Sequence, residues 1–444
     1  MIFTRISKAS RPSSAIAMAL VLAATGAIGM TALETPAFAQ KKNKKQEAGK
    51  PEYSKAFVEA FQPINAIQSA ETPDWAAVPA LVPALLATVQ SDDEKSVAGR
   101  VLLNTGINLK DNDMQLRGIE MLIDSGKTGE TPVGQLQFVR YQLYNDRGDV
   151  DNARLALEGA IAAGYTTQAT MADGSTRTLG TAEMQRMIAE LYFNADRVPE
   201  GIAYVSGLLD GYASSGEKPP ESLIRAALAQ AYAKNMGAES ARYVAMLAQN
   251  YPSPTIWGDA VIITLNSQEY AKPDALDLLR LSRRMNVYND TRILGEYVEL
   301  LDSRRYPGEV LVAIDGGFAL SNIDKSDPYL VEVRRDAASR VDADRRGLDA
   351  LVSDARKSGA TLKTLVVAGD TMLSYDRPAE AEEFYTRALG MSGVETPVVL
   401  TRLGIAQYDL GNYSAAVDTF RKVEGARRDI ANLWALYSAQ KGAM

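Results

Sequence analysis

The chain of 444 residues contains no histidine and no cysteine, and only three tryptophans. Without histidine no Ser-His-Asp triad can form, and without cysteine there is no thiol nucleophile, no lipidated N-terminal cysteine and no zinc site of His and Cys ligands. Also missing are a Gly-x-Gly-x-x-Gly loop, a phosphate-binding Gly-Lys-Ser/Thr loop and a Gly-x-Ser-x-Gly elbow. What remains for catalysis is a pair of carboxylates. The acidic clusters Asp92-Asp93-Glu94 and Glu380/Glu382/Glu383 lie near helix starts, where negative side chains offset the helix dipole. No catalytic residue, cofactor or metal ligand is therefore expected, and the chain is not expected to be an enzyme.

The N-terminus reads as a processing signal. Arg5, Lys8 and Arg11 precede the apolar run 16–29, and Ala37-Phe38-Ala39 is a small-x-small cleavage site. Export to the periplasm or exterior is expected, with cleavage after Ala39 and no transmembrane segment in the mature chain, because the apolar run is short for a span of about 20 residues. Removing residues 1–39 takes away Arg5, Lys8, Arg11 and Glu34, so the net charge moves from −7 to −9. Residues 40–51 form a basic tail with Lys41, Lys42, Lys44, Lys45 and Lys50. An acidic body behind so short a tail argues against nucleic acid.

From Glu52 onward apolar residues recur at three- and four-residue spacing, the period of amphipathic helices. Pro79 and Pro83 should split the segment Trp75–Val89. Over 362–423 a unit repeats: Gly369, Ala381, Tyr385 and Ala388 return 35 residues later as Gly404, Ala416, Phe420 and Val423. A repeat of this length marks a helical hairpin that buries its apolar face only by stacking on copies of itself. Gly369 and Gly404 are expected to face Ala381 and Ala416 at the helix crossing, with Tyr385 and Phe420 filling the gap to the next hairpin. Gly411-Asn412 and Asp376-Arg377-Pro378 supply the turns.

Leu403-Gly404, Tyr408, Gly411, Tyr413, Ala416 and Phe420 together resemble the tetratricopeptide repeat family; the earlier copy departs from the pattern at Asp376 and Pro378. The resemblance implies an all-α fold, an α-α superhelix of stacked hairpins with a concave face. Extended backwards, the frame places small residues at Gly347, Ala275, Ala241, Gly201, Ala153 and Gly118, and hairpins at 136–163, 182–210 and 222–250. Further hairpins are expected at 256–285, 291–320 and 329–358. One interval is too long, and its excess at 165–179 has threonine-rich flanks around Asp173-Gly174, a β-hairpin signal. The expected organisation is a signal peptide at 1–39, the tail at 40–51, a helical cap at 52–97, degenerate repeats at 98–361, two clear repeats at 362–425 and a capping helix at 426–444.

Such an array acts by geometry, so a protein or peptide partner of the cell envelope is expected; the oligomeric state is open. Trp257, at the start of a first helix, is a candidate concave-face contact. Under the resemblance, Val366, Asp370, Thr401, Ile405 and Asp409 fall on the inward face, a set unlike the basic clamp by which tetratricopeptide co-chaperones grip a terminal carboxylate. The candidate partner-binding residues are Trp257, Asp370, Thr401, Ile405, Tyr408 and Asp409, with Thr170 and Arg177 on the hairpin, whose exposed edge could pair with a partner strand. Two other readings compete: a glycan-binding or cell-wall-remodelling enzyme on a helical superhelix using one acidic residue, and a spacer without a ligand.

Overall fold

The computed structural model describes residues 53–170, 174–288 and 290–443. The expected signal peptide and the whole of the basic tail lie outside the described residues. The chain forms two compact units that divide after Gly201, and both are predominantly helical.

The N-terminal unit opens with α1 (Lys55–Gln68), a 3-10 turn at Trp75–Ala80 and α2 (Val82–Leu86), broken apart as Pro79 and Pro83 require. Hairpins follow: α3 (Asp92–Leu109) with α4 (Asn112–Ser125), then α5 (Val133–Asp146) with α6 (Val150–Ala162). The acidic start of α3 is a capping box. Ser91 accepts from the Glu94 backbone, and the Glu94 carboxylate takes N–H groups of Ser54, Gln90 and Ser91. Burial works against that carboxylate, but the three backbone donors outweigh it and lower its pKa.

The β-hairpin is present, with β1 (Thr167–Thr170) antiparallel to β2 (Thr176–Leu179) and Thr167 opposite Leu179. Ala169 and Leu179 are buried and anchor it. Arg177 bonds Glu183 of α7 (Thr181–Asn194) at 2.5 Å. The expected turn residue Asp173 lies outside the described residues.

The C-terminal unit takes up the chain within α8 (Val198–Ser215). It continues with α9 (Glu221–Ala233) and α10 (Gly237–Asn250), α11 (Pro254–Leu265) and α12 (Lys272–Met285), α13 (Thr291–Leu301) and α14 (Pro307–Phe318). Next come α15 (Pro328–Arg356), α16 (Leu362–Ser374) with α17 (Pro378–Leu389), α18 (Thr396–Asp409) with α19 (Tyr413–Phe420), and α20 (Arg428–Gly442).

One turn is used six times. Lys110, Gly148, Asp196, Asn235, Asp376 and Gly411 each adopt a left-handed conformation, with φ between 54° and 77°, and the second helix begins two residues later. In every case the intervening residue donates its N–H to the carbonyl five residues back, as Arg377 does to Met372 and Asn412 to Gln407, both at 2.9 Å. This 6→1 bond closes the first helix and reverses the chain. Asp376 therefore does the work of a turn glycine, since Asp tolerates the left-handed region better than most side chains.

Two expectations fail. Gly369 and Gly404 do not simply meet the small residues of the second helix. A Cβ on Gly369 would lie 2.6 Å from the Tyr385 ring, and one on Gly404 2.6 Å from the Phe420 ring. Each glycine opens a seat for the aromatic ring of its own hairpin, because a flat ring needs more room against a helix than a methyl group does. The region 329–358 is not a hairpin but the single 29-residue helix α15. Leu330, Ala337, Val341, Leu348, Val352 and Ala355 keep one apolar stripe along it, so no reversal is needed to bury them, and Gly347 has no neighbour at a crossing.

Candidate functional site

The site is built from α12, whose sequence places Asp277, Arg280 and Arg284 at three- and four-residue spacing on one face. Arg280 donates to Asp277 at 2.9 Å and forks onto both oxygens of Glu309 at 3.0 and 2.7 Å. Tyr297 also donates to Glu309, at 2.8 Å. Two arginines from distant parts of the unit complete Asp277: Arg402 of α18 at 3.0 Å and Arg427 at 2.8 Å. Arg402 meets Asp370 of α16 with 2.9 Å to each oxygen, and Tyr385 donates to Asp370 at 2.8 Å. The Trp434 indole of α20 donates to the Asp277 backbone carbonyl at 2.9 Å.

Three carboxylates and three guanidinium groups thus share one buried cluster, every member 5% exposed or less. Burial disfavours the charged Asp277, but Arg402, Arg427 and Arg280 outweigh it and bring its pKa down to about 2. Burial likewise opposes ionised Glu309, and Arg280, Arg283 and Arg284 bring it to about 2. Both are locked as anions at neutral pH, with their lone pairs engaged. That suits a structural joint, whereas a general acid needs a pKa near the working pH.

The joint closes the C-terminal unit on itself. Gln440 of α20 bonds the Ala248 carbonyl of α10, and Trp257 of α11 meets Tyr437 edge to face at 5.2 Å. Residues expected on a concave face are therefore packed within the unit itself. Trp257, Thr401, Ile405 and Tyr408 are buried, and Tyr408 packs among Tyr413, Trp434 and Tyr437. Asp370 belongs to the buried cluster, and Asp409 is forked by Arg284 at 3.1 and 2.5 Å. Trp257 and Tyr408 are thus covered by α20 and Thr401 and Ile405 are buried, whereas Asp370 also lines the larger cavity described below and Asp409 lines a smaller one. Of the hairpin candidates, Thr170 is exposed and Arg177 is tied to Glu183.

Sequence reasoning missed the arginines. Arg402 stands inside an otherwise apolar helical run, Val399-Leu400-Thr401-Arg402-Leu403, and that isolated charge was the available signal.

Beside the cluster, the N-terminal ends of α12, α16 and α18 surround a cavity of about 870 Å³. Leu362, Val366, Val394, Pro397 and Val398 give it apolar walls, and Arg402 and Arg427 lie at its charged, buried side. Arg305, Lys363, Glu395 and Glu424 stand exposed around it. Among the described residues no aromatic side chain lines it. Among the described residues no helix is long and apolar enough to cross a membrane, and no group of three carboxylates is placed to hold a metal ion. Comparison with protein-family models finds no match for this chain, and comparison with curated proteins finds none either.

Proposed function

We propose that this chain is a non-catalytic exported scaffold, built of tetratricopeptide-like hairpins in a superhelical array, that binds a protein or peptide partner in the cell envelope. The observation that carries this reading is the apolar-walled cavity at the ends of α12, α16 and α18. Its valine, leucine and proline walls suit aliphatic side chains of an extended segment, and its mixed charged rim suits the polar backbone and flanking residues. A sugar ligand would favour an aromatic platform, and no described aromatic residue lines the cavity. The carboxylates beside it are held ionised by arginines, which favours binding over acid–base chemistry.

Photo-cross-linking tests the reading. A photoreactive residue at Val398 or at Thr170 in the full chain, expressed in its native envelope, should give a discrete adduct at Val398 that untagged protein competes away. A competed adduct only at Thr170 would move recognition to the β-hairpin. No saturable adduct at either position, or cell-wall activity abolished by replacing one carboxylate, would overturn the proposal.

A further inference from the structure

The charges around the apolar-walled cavity of about 870 Å³ fall into two groups. Asp274, Asp370, Arg402 and Arg427 neutralise one another: Arg427 pairs with Asp274 at 2.6 Å and Arg402 with Asp370 at 2.9 Å. Arg305, Lys363, Glu395 and Glu424 also line the cavity, and all four are exposed. Lys363, Glu395 and Glu424 make no ion pair among the described residues. Arg305 stands 3.7 Å from the Asp370 carboxylate, but its side chain keeps 63% exposure and presents its charge to solvent.

These four charges are sorted by sign. Lys363 belongs to the first turn of α16, and Arg305 lies against the same helix through Asp370. Glu395 immediately precedes α18, and Glu424 precedes the 3-10 turn Gly425–Arg427 that leads into α20. Because α18 packs against both α16 and α20, the cations stand at the α16 side of the mouth and the carboxylates at the α18–α20 side. The aliphatic wall is shared by α16, with Leu362 and Val366, and by the start of α18, with Pro397 and Val398. Resting on the reading of this cavity as the partner site, we propose that the segment it takes is charge-segregated. Its centre is aliphatic, its acidic side is seated by Arg305 and Lys363, and its basic side by Glu395 and Glu424. Exposed rim charges of this kind act by steering the right ligand and repelling the wrong one. A uniformly acidic segment would meet Glu395 and Glu424, and a uniformly basic one Arg305 and Lys363. Chain direction is not fixed by this pattern, since an extended segment can satisfy it running either way.

The test uses the full chain and three terminally blocked peptides with a common Val-Leu-Val centre. One carries Asp on one side and Lys on the other, one Asp on both sides, and one Lys on both. In fluorescence anisotropy the segregated peptide should bind about tenfold tighter than either of the others. That preference should shrink as salt rises, because exposed charges are screened. Lys363→Glu should shift the preference towards the all-Lys peptide and Glu424→Lys towards the all-Asp peptide. Both are exposed positions, so each variant should keep the wild-type melting temperature. Equal binding of the three peptides to wild type would overturn the proposal, and so would an unchanged preference in both variants. If no peptide binds while the Val398 adduct is still competed away, the charge-segregated segment is wrong and the partner cavity stands. If the adduct is absent as well, both fall.

Discussion

The two units solve the problem of burying helical hairpins in opposite ways. In the N-terminal unit Phe57, Phe61, Ile64, Val101 and Leu102 make an aliphatic and aromatic core, and Leu116, Ile119, Leu136 and Val139 continue it. Its described ion pairs all keep partial exposure, as with Arg154–Glu158, whose side chains are 26% and 40% exposed. Among its described residues the one fully buried carboxylate, Glu94, is satisfied by backbone N–H groups rather than by arginines. The C-terminal unit instead buries Asp277, Arg280, Glu309, Asp370, Arg402 and Arg427 together. The difference follows from connectivity. Neighbouring hairpins find each other through nonpolar contact alone, but Asp277 and Arg427 are 150 residues apart, and their contact must be unique to be useful. Hydrophobic surfaces tolerate several registers, whereas a forked ion pair tolerates one. Such clusters add little net stability over a nonpolar core, yet losing one partner is costly.

The sharpest way to break the comparison is Asp277→Ala, which leaves Arg280, Arg402 and Arg427 without their shared carboxylate. The expected loss is about 3–5 kcal/mol, confined to the C-terminal unit. Urea unfolding followed at Trp257 and Trp434 should shift to lower midpoint while the Trp75 signal holds. A shift shared equally by all three would show that the units unfold as one.

Acid should separate the units next. Asp277 and Glu309 have folded pKa values of about 2, below their ordinary range near 4. A carboxylate with a depressed folded pKa contributes stability that is complete above the unfolded value and lost as pH falls through the folded one. Between pH 5 and pH 2 each should cost the C-terminal unit on the order of 2 kcal/mol. Circular dichroism and tryptophan fluorescence across that range should show α10–α20 loosening first. Equal acid sensitivity in both units would contradict the special role given to the cluster.

Packing changes come third. Ala416 is fully buried, so Ala416→Leu should cost about 1–3 kcal/mol by overpacking, read as a fall in melting temperature. Gly404→Ala should also destabilise despite the better helix propensity of alanine, because the new Cβ would press into the Phe420 ring. The smallest effect belongs to Arg154→Ala, which removes an exposed ion pair of the N-terminal unit. It should change stability by less than about 1 kcal/mol in the same assay.

Local features were legible in the chain. Apolar spacing marked most helices, the threonine-flanked Asp-Gly marked the β-hairpin, and Gly411 marked a turn that recurs with Asp376, Asn235, Asp196, Gly148 and Lys110. Gly411 and Asp376 were read as turns and Gly148, Asn235, Asp196 and Lys110 were not, because the left-handed position accepts several residue types. The length of α15 was misread, since a small residue such as Gly347 has the same spacing value whether or not a second helix crosses it. The inward residues were assigned to a surface because the spacing that points Trp257, Thr401 or Tyr408 inward is identical for an open groove and a filled interior.

By itself, then, the sequence determined the secondary structure and the hairpin unit, which depend on interactions within some 35 residues of chain. It also determined what chemistry is missing, because no fold can supply a histidine or a cysteine that is absent. Only the tertiary structure decided that the C-terminal unit closes through α20, that six charged residues become its joint, and where its cavities lie. Those outcomes rest on contacts more than a hundred residues apart, such as Arg402 with Asp277 and Arg284 with Asp409. At that separation no periodicity connects the partners. Only folding brings them within hydrogen-bond distance.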